Sequence, residues 1–416
     1  MTPASFGGFV SRAHARGALV VQPRMGFGDP RQMREGLRRT RDAGAVTVGT
    51  LTLDSYTRVN DLAAARRAVR DGVPLNGYPI CTHPAEVSRA MLDGVHEAAF
   101  PVQVRHGSAR PEHIVSALLD LGLDATEGGP VSYCLPYGRT RLSDAVAAWR
   151  TACALLAEAR TDTREPHLES FGGCMLGQLC PPSMLVALSV LEGLFFARHG
   201  LRSVSLSYAQ QTSPEQDLEA MAALRALAGE FLPGIDTHLV VYAYMGVFPA
   251  TRGGALRLLE EAARLAVASG AARLIVKTAA EAHRIPTIAD NVEALRTAAR
   301  AAEATTPRAA GAAAGSEVYE EAAVLVRTVL GLHDDVGEAL LLAFRRGLLD
   351  IPYCLHPDNA GRTRSFIDTD GRLRWADTGL LPLPRTALTT ARRVTSDELL
   401  TALTRVRRIY DQGGIR

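Results

Sequence analysis

The chain has 416 residues, with 46 basic and 44 acidic side chains and a formal charge of +2. At ~150 residues per domain the length suggests roughly three domains, although one α/β barrel can use ~250. Apolar residues at 47% and charged residues at 22% exclude collagen, coiled coil and wholesale disorder. The near-zero net charge supplies no polyanion-binding field and excludes nucleic acid as the expected partner.

The first residues, MTPASFGGFVSRAHARGALVV, lack a basic segment followed by a long apolar core, so no signal peptide is expected. From Ala18 to about Ala304, short β-branched or apolar runs alternate with amphipathic stretches. The runs are ALVVQPR (18–24), TVGTLTLD (47–54), PLNGYPI (74–80), FPVQVRHG (100–107), DATEGGPVSY (124–133), EPHLESFGG (165–173), SVSLSY (203–208), HLVVYAYMG (238–246) and RLIVKT (273–278). Strands alternating with helices imply parallel pairing and right-handed crossovers. The expected class is α/β, a (β/α)8 TIM-type barrel over 1–304, with a doubly wound sheet as the second choice. Nine candidate strands exceed eight slots, so one lies outside the barrel. The absence of a G-x-G-x-x-G after the first run weakens the dinucleotide-binding version.

The most apolar stretch, Leu185 to Phe196, contains Glu192 and is too short to span a bilayer. Residues 305–316, TTPRAAGAAAGS, read as a linker. Residues 317–416 read as a C-terminal α+β appendage, with two helical stretches and a hairpin around Asp370-Gly371.

Six Cys form no C-x-x-C pair, and the closest two, Cys174 and Cys180, have no neighbouring His. No metal site and a reducing cytoplasm are therefore expected. Only one basic residue is Lys, Lys277; all others are Arg. An ammonium and a guanidinium are not interchangeable, so a lone Lys amid Arg marks a position where the fork does not serve.

A barrel places its chemistry where strands end. Those ends carry Arg24, Arg58, Asn76, Arg105, His106, Glu127, Tyr133, Tyr137, Phe171, Lys277 and Glu281. Most Arg in so Arg-rich a chain are solvated surface charges. Three at the ends of different strands, however, can converge on one pocket, and a buried cluster of like charge needs a counter-ion. A ligand with two carboxylates supplies it, each gripped by paired hydrogen bonds. Glu127 then suits an ammonium, and the pocket reads as one for an acidic amino acid. The chain has no Ser-His-Asp set, P-loop or H-E-x-x-H motif.

The segments QPRMG, TLDSYTR, LNGYP, VQVRHG, TEGGPVSYCLPY, SFGG followed by PPSM, MGVFP and IVKTAAEAHRIPT occur in order between about residues 18 and 290. Together with DIPY and NAGR further on, they resemble the large catalytic (epsilon) subunit of glutamate mutase, or methylaspartate mutase. The resemblance implies a (β/α)8 barrel working with adenosylcobalamin, and a radical rearrangement that interconverts L-glutamate and threo-3-methyl-L-aspartate. It implies that Arg24, Arg58 and Arg105 hold the two carboxylates, that Glu127 holds the ammonium, and that His106, Tyr133 and Tyr137 also touch substrate. Gly26, Asn76, Pro136, Phe171, Phe248, Lys277, Glu281 and Ile285 are implied cofactor contacts.

Related mutases hold the cobalt through a D-x-H-x-x-G motif. The nearest string here, Asp236-Thr237-His238, has Val241 in the final place and opens a barrel-like strand. The cobalt ligand is therefore expected from a separate small cobalamin-binding subunit, in a hetero-oligomer containing a dimer of this chain. Against the family pattern, Tyr242 and Tyr244 stand in a region that usually carries His and Trp. The seventh strand reads SLSYAQQT, the segment before PPSM reads GGCMLGQLC, and the chain is shorter at both ends. These departures leave two alternatives: a same-mechanism mutase on a related acidic amino acid, and a non-catalytic barrel that partners a cobalamin-binding subunit.

Overall fold

The computed structural model describes residues 5–136, 138–172, 179–307, 315–384 and 394–413. Eight strands form one parallel sheet: β1 (Val20–Gln22), β2 (Gly49–Thr52), β3 (Val102–Arg105), β4 (Ala125–Gly128), β5 (His167–Ser170), β6 (Ser203–Ala209), β7 (Asp236–Tyr242) and β8 (Arg273–Ile275). The order runs β1-β8-β7-β6-β5-β4-β3-β2. A parallel bridge from Val21 to Thr47, just ahead of β2, brings the two ends of the sheet together. Helices cross between successive strands, so the architecture is the expected (β/α)8 barrel. All eight strands are short and almost wholly buried, because barrel interior and helix ring cover both faces.

Local chemistry fixes the helix starts. Asp29 accepts from the Gln32 N–H at 2.7 Å ahead of a helix that opens on Pro30. Thr287 and Asp290 form a reciprocal capping box. The helix Pro182–Arg198, which contains the most apolar run, is buried from Pro182 through Phe196. It is apolar all round because it lies between β5 and β6 on one side and the helices Glu317–Leu330 and Val336–Arg346 on the other.

The ninth candidate strand is PLNGYPI. It joins the sheet only through one bridge, from Leu53 to Tyr78. Pro74 and Pro79 have no N–H to give a ladder. The segment instead drapes over the end of β2, with the Tyr78 N–H on the Thr52 carbonyl at 2.9 Å. The run 124–133 is strand only as far as Gly128, whose φ of +132° and the following Pro130 end it.

The helix Phe6–Ala15 closes the N-terminal end of the barrel. Phe6 stacks on His167, and the Arg273 guanidinium lies over its ring at 4.9 Å. Beyond residue 316, the chain packs on the same hydrophobic core as the barrel. Glu321 accepts from Ser183 at 2.6 Å and from the Trp375 indole at 3.1 Å. The hairpin of β9 (Arg364–Ile367) and β10 (Leu373–Asp377) turns through Asp370-Gly371 as expected. Residues 308–314 of the expected linker, together with Cys174, lie outside the described residues.

Candidate active site

The C-terminal ends of the strands gather the expected residues into two connected groups. The first lies inside the barrel. Arg105 ends β3 and is buried, and its Nη2 is 2.8 Å from Glu127 Oε2 on β4. Glu127 also accepts from the Tyr133 hydroxyl, and from the Tyr242 hydroxyl at 2.8 Å. Phe171, one residue past β5, packs on Tyr133 and edge-on to Tyr242, with centroids 4.8 and 5.2 Å apart. Arg58 closes a single helical turn, Ser55–Arg58, capped by Asp54. Its side chain crosses Gly107, where a methyl would come within 3.3 Å of Arg58 Cδ.

His106 sits among these cations as a neutral ring. Burial first, then Arg58 and Arg105, push its pKa down to about 3. Its Nδ1 accepts from the Ser108 N–H at 3.0 Å, so the proton of the neutral ring resides on Nε2. Burial opposes charge on Arg105, but Glu127 and the nearby phenols outweigh it and keep the guanidinium cationic. Burial raises the pKa of Glu127. Arg105 opposes that rise and Glu169 adds to it.

The second group lines the mouth. Arg24, Gly26, Asn76, Glu281 and Ile285 border one cavity of about 520 Å3. Arg24 Nη1 is 3.4 Å and Lys277 Nζ 3.2 Å from the same oxygen, Glu281 Oε2. Lys277 and Glu281 meet across a turn rather than a regular helix. The Lys277 ammonium also lies 4.6 Å from the centre of the Phe248 ring. Gly26 has to be glycine, because a methyl there would fall 2.1 Å from the Thr52 carbonyl oxygen. Asn76 accepts from the Ser55 N–H at 3.0 Å, which ties the draped 74–80 segment to the Arg58 turn. Pro136 is half-buried at the end of the turn that carries Tyr133, and Tyr137 lies outside the described residues.

Strand-end reasoning missed a polar layer just beneath. Glu169 accepts from Arg273, from Tyr242, and from Gln103 at 3.4 Å. Gln22 donates to Gln103 at 2.8 Å and to Thr50 at 2.9 Å. The available signal was a charged or amide residue inside apolar strands: VVQ, VQV, HLES and RLI. Tyr242, noted in the sequence only as a departure, proves to be the link between this layer and Glu127.

Several donors in the site have no partner. Among the described residues, Arg58 Nε, Arg105 Nη1 and Thr52 Oγ1 are buried without a hydrogen bond. His106 Nε2 also makes none of normal geometry, although the Glu127 backbone beside it favours its protonated form. Other buried polar atoms among the described residues, such as Trp149 Nε1 and Arg164 Nε, lack a partner too, so these donors are open to a ligand without requiring one.

The methylaspartate mutase E chain family matches residues 3–398. The chain belongs to that family. It is 31% identical to the "Glutamate mutase epsilon subunit" of Halobacterium salinarum, over 88% of this chain and 79% of that one. The proteins of the same name from Escherichia coli O157:H7 and Desulfitobacterium hafniense are 27% and 29% identical, over 91% and 90% of this chain and 81% and 80% of theirs. Among solved structures, a truncated 3-deoxy-D-arabino-heptulosonate 7-phosphate synthase from Thermotoga maritima matches at 12% identity. Its TM-score is 0.37, with 69% of this chain and 87% of that one covered, a likeness that bears on neither site nor function. No helix among the described residues is long and apolar enough to cross a membrane.

Proposed function

We propose that this chain is the catalytic subunit of an adenosylcobalamin-dependent isomerase that interconverts L-glutamate and threo-3-methyl-L-aspartate. The observation that carries the reading is the set of unpartnered guanidinium nitrogens, Arg58 Nε and Arg105 Nη1, beside a neutral imidazole and a carboxylate. A doubly anionic amino acid would complete those donors and neutralise their charge, since carboxylates take two parallel hydrogen bonds from a guanidinium. His106 adds a donor without adding charge. Glu127 would face the ammonium. Clamping both carboxylates would keep the two fragments of a rearranging substrate in register. The barrel wall and the aromatic set Tyr133, Phe171 and Tyr242 would keep water away from the centre.

We read the mouth cavity as part of the face against which a large flat cofactor would lie. Its rim mixes Asn76 and Glu281 with Ile285, which is 63% exposed, and Thr52 also lines it. Gly26, Asn76, Phe248, Lys277, Glu281 and Ile285 would hold adenosylcobalamin there, with Pro136 and Phe171 nearer the substrate. When bound, that cofactor supplies the carbon-centred radical on which such rearrangements depend. Arg24 and Lys277 share Glu281 and would link the substrate clamp to the cofactor face.

A separate cobalamin-binding subunit completes the proposal. His238, the residue nearest to a cobalt-ligand motif, is buried toward the N-terminal end of β7, where it stacks on His167 at 4.9 Å. That is the end of the barrel remote from the mouth. We assign the working assembly as a hetero-oligomer containing two copies of this chain, in the cytoplasm.

One observation favours the related-substrate reading. Tyr242, one of the departures from the family pattern, bonds Glu127 inside the site, so the surroundings of the substrate differ from that pattern. The deciding experiment mixes the chain with its small subunit, adenosylcobalamin and a panel of acidic amino acids without oxygen. Formation of 3-methylaspartate from glutamate supports the proposal. Turnover of another panel member alone selects the second reading. Subunit binding with no turnover leaves a non-catalytic partner.

A further inference from the structure

Glu192 is the acidic residue that interrupts the most apolar stretch of the chain, and it is completely buried in the middle of the helix Pro182–Arg198. A lone buried carboxyl is costly unless something nearby satisfies it. Its Oε1 accepts two backbone N–H groups, from Val131 at 2.9 Å and from Ser132 at 2.8 Å. Among the described residues no ion pair reaches it, and its Oε2 has no hydrogen-bond partner.

Those two N–H groups open a helical turn. The Tyr133 N–H returns to the Gly129 carbonyl at 3.2 Å and the Leu135 N–H to the Val131 carbonyl at 3.0 Å. The first donors of such a turn have no partner inside it, and a side chain at the preceding residue usually serves them. Here that residue is Gly129, which has no side chain, and Pro130 has no N–H. A methyl on Gly129 would fall 2.2 Å from the Glu192 carboxyl. The sequence has thus removed the local cap and made room for one from a distant helix.

The turn carries Tyr133. The Tyr133 hydroxyl donates to Glu127, and its ring packs on Phe171 and edge-on to His106 at 5.2 Å. We propose that Glu192 is a positioning residue, capping the 129–135 turn from a neighbouring helix and so holding Tyr133 on Glu127 where the substrate ammonium is read to bind. The functional half of this proposal rests on the mutase reading above; the cap itself does not. Burial raises the Glu192 carboxyl to about 7, while the Ser132 and Val131 N–H groups oppose the rise.

The test uses two variants. Glu192→Gln keeps an oxygen that can accept both N–H groups, whereas Glu192→Leu keeps the size and loses the acceptor. Amide hydrogen exchange across 131–135 is measured on the whole chain. KM and kcat for L-glutamate are measured with the small subunit and adenosylcobalamin. Glu192→Leu is expected to speed exchange in this segment by about tenfold or more, and to raise KM by a similar factor with a smaller fall in kcat. Glu192→Gln is expected to restore both. Normal exchange at 131–135 in a folded Glu192→Leu protein overturns the proposal, as does a Glu192→Gln protein with the same raised KM. Should Glu192→Leu not fold, rapid exchange of the Val131 and Ser132 amides in the wild type or in Glu192→Gln overturns it equally. A wild type without mutase activity defeats the functional reading alone, since the exchange result still decides the cap.

Discussion

The Tyr242 hydroxyl donates to Glu127 Oε2 at 2.8 Å, although the two residues lie 115 positions apart. The same hydroxyl also bonds Glu169, so one phenolic proton serves two carboxyl groups. Burial raises the pKa of Glu127, and the neighbouring Glu169 adds to the rise.

Replacing Tyr242 with Phe keeps the ring over which Arg105 lies at 5.0 Å and removes only the shared hydroxyl. The two carboxyls then face each other without a bridge. The expected cost is about 1–3 kcal/mol of stability, measured by urea unfolding. A fall in kcat/KM of at least about tenfold should accompany it. Unchanged stability and kinetics would show that the bridge has no role.

Arg105→Met leaves Glu127 buried without its cation. Removing one partner of a buried pair costs about 3–5 kcal/mol, so the variant should melt well below the wild type. Glutamate turnover should fall to background in anaerobic assays. A second variant, Glu127→Gln/Arg105→Met, should recover stability but not turnover, which separates the structural role of the pair from its proposed hold on substrate.

Lys277 touches Glu281 and the Phe248 ring with a single compact ammonium. Lys277→Arg brings a planar fork into a place shaped for a point charge. We expect weaker adenosylcobalamin binding by about tenfold in equilibrium titrations of the assembled subunits, with normal folding by circular dichroism. Equal affinity for the cofactor would make the lone Lys an accident of composition.

The Glu321 carboxyl is pushed up to about 7, chiefly by burial, against the pull of Ser183 and Trp375. Unfolded, it would titrate near ~4.3. Between these values the folded chain holds a proton that the unfolded chain has released. This contribution to stability is complete below the unfolded value and is lost as pH rises through 7. The stability of Glu321→Gln relative to the wild type should therefore improve by about 1 kcal/mol between pH 6 and pH 8. Parallel unfolding curves at the two pH values would check it, and a constant difference would contradict it.

Much of this protein is legible in one dimension. Strand and helix periods depend on neighbours along the chain, so alternating runs gave the barrel, and strand ends gave most of the polar residues that gather at its mouth. The ninth run failed because apolar composition alone resembles a strand, whereas Pro74 and Pro79 deny it a ladder. Arg105 and Glu127 could be named from position, but their pairing could not. It depends on β3 and β4 lying side by side in register.

What only the tertiary structure decided are contacts between residues far apart in sequence. Arg273 reaches Glu169 across 104 positions, and Glu192 caps a turn about 60 residues before it. Local propensity carries no information about such pairs, because each partner is satisfied by whatever the closed barrel brings to it. The sequence by itself determined which elements form and which polar residues the strand ends carry. Closure of the sheet determined which charges meet, which are neutralised, and which donors remain for a ligand.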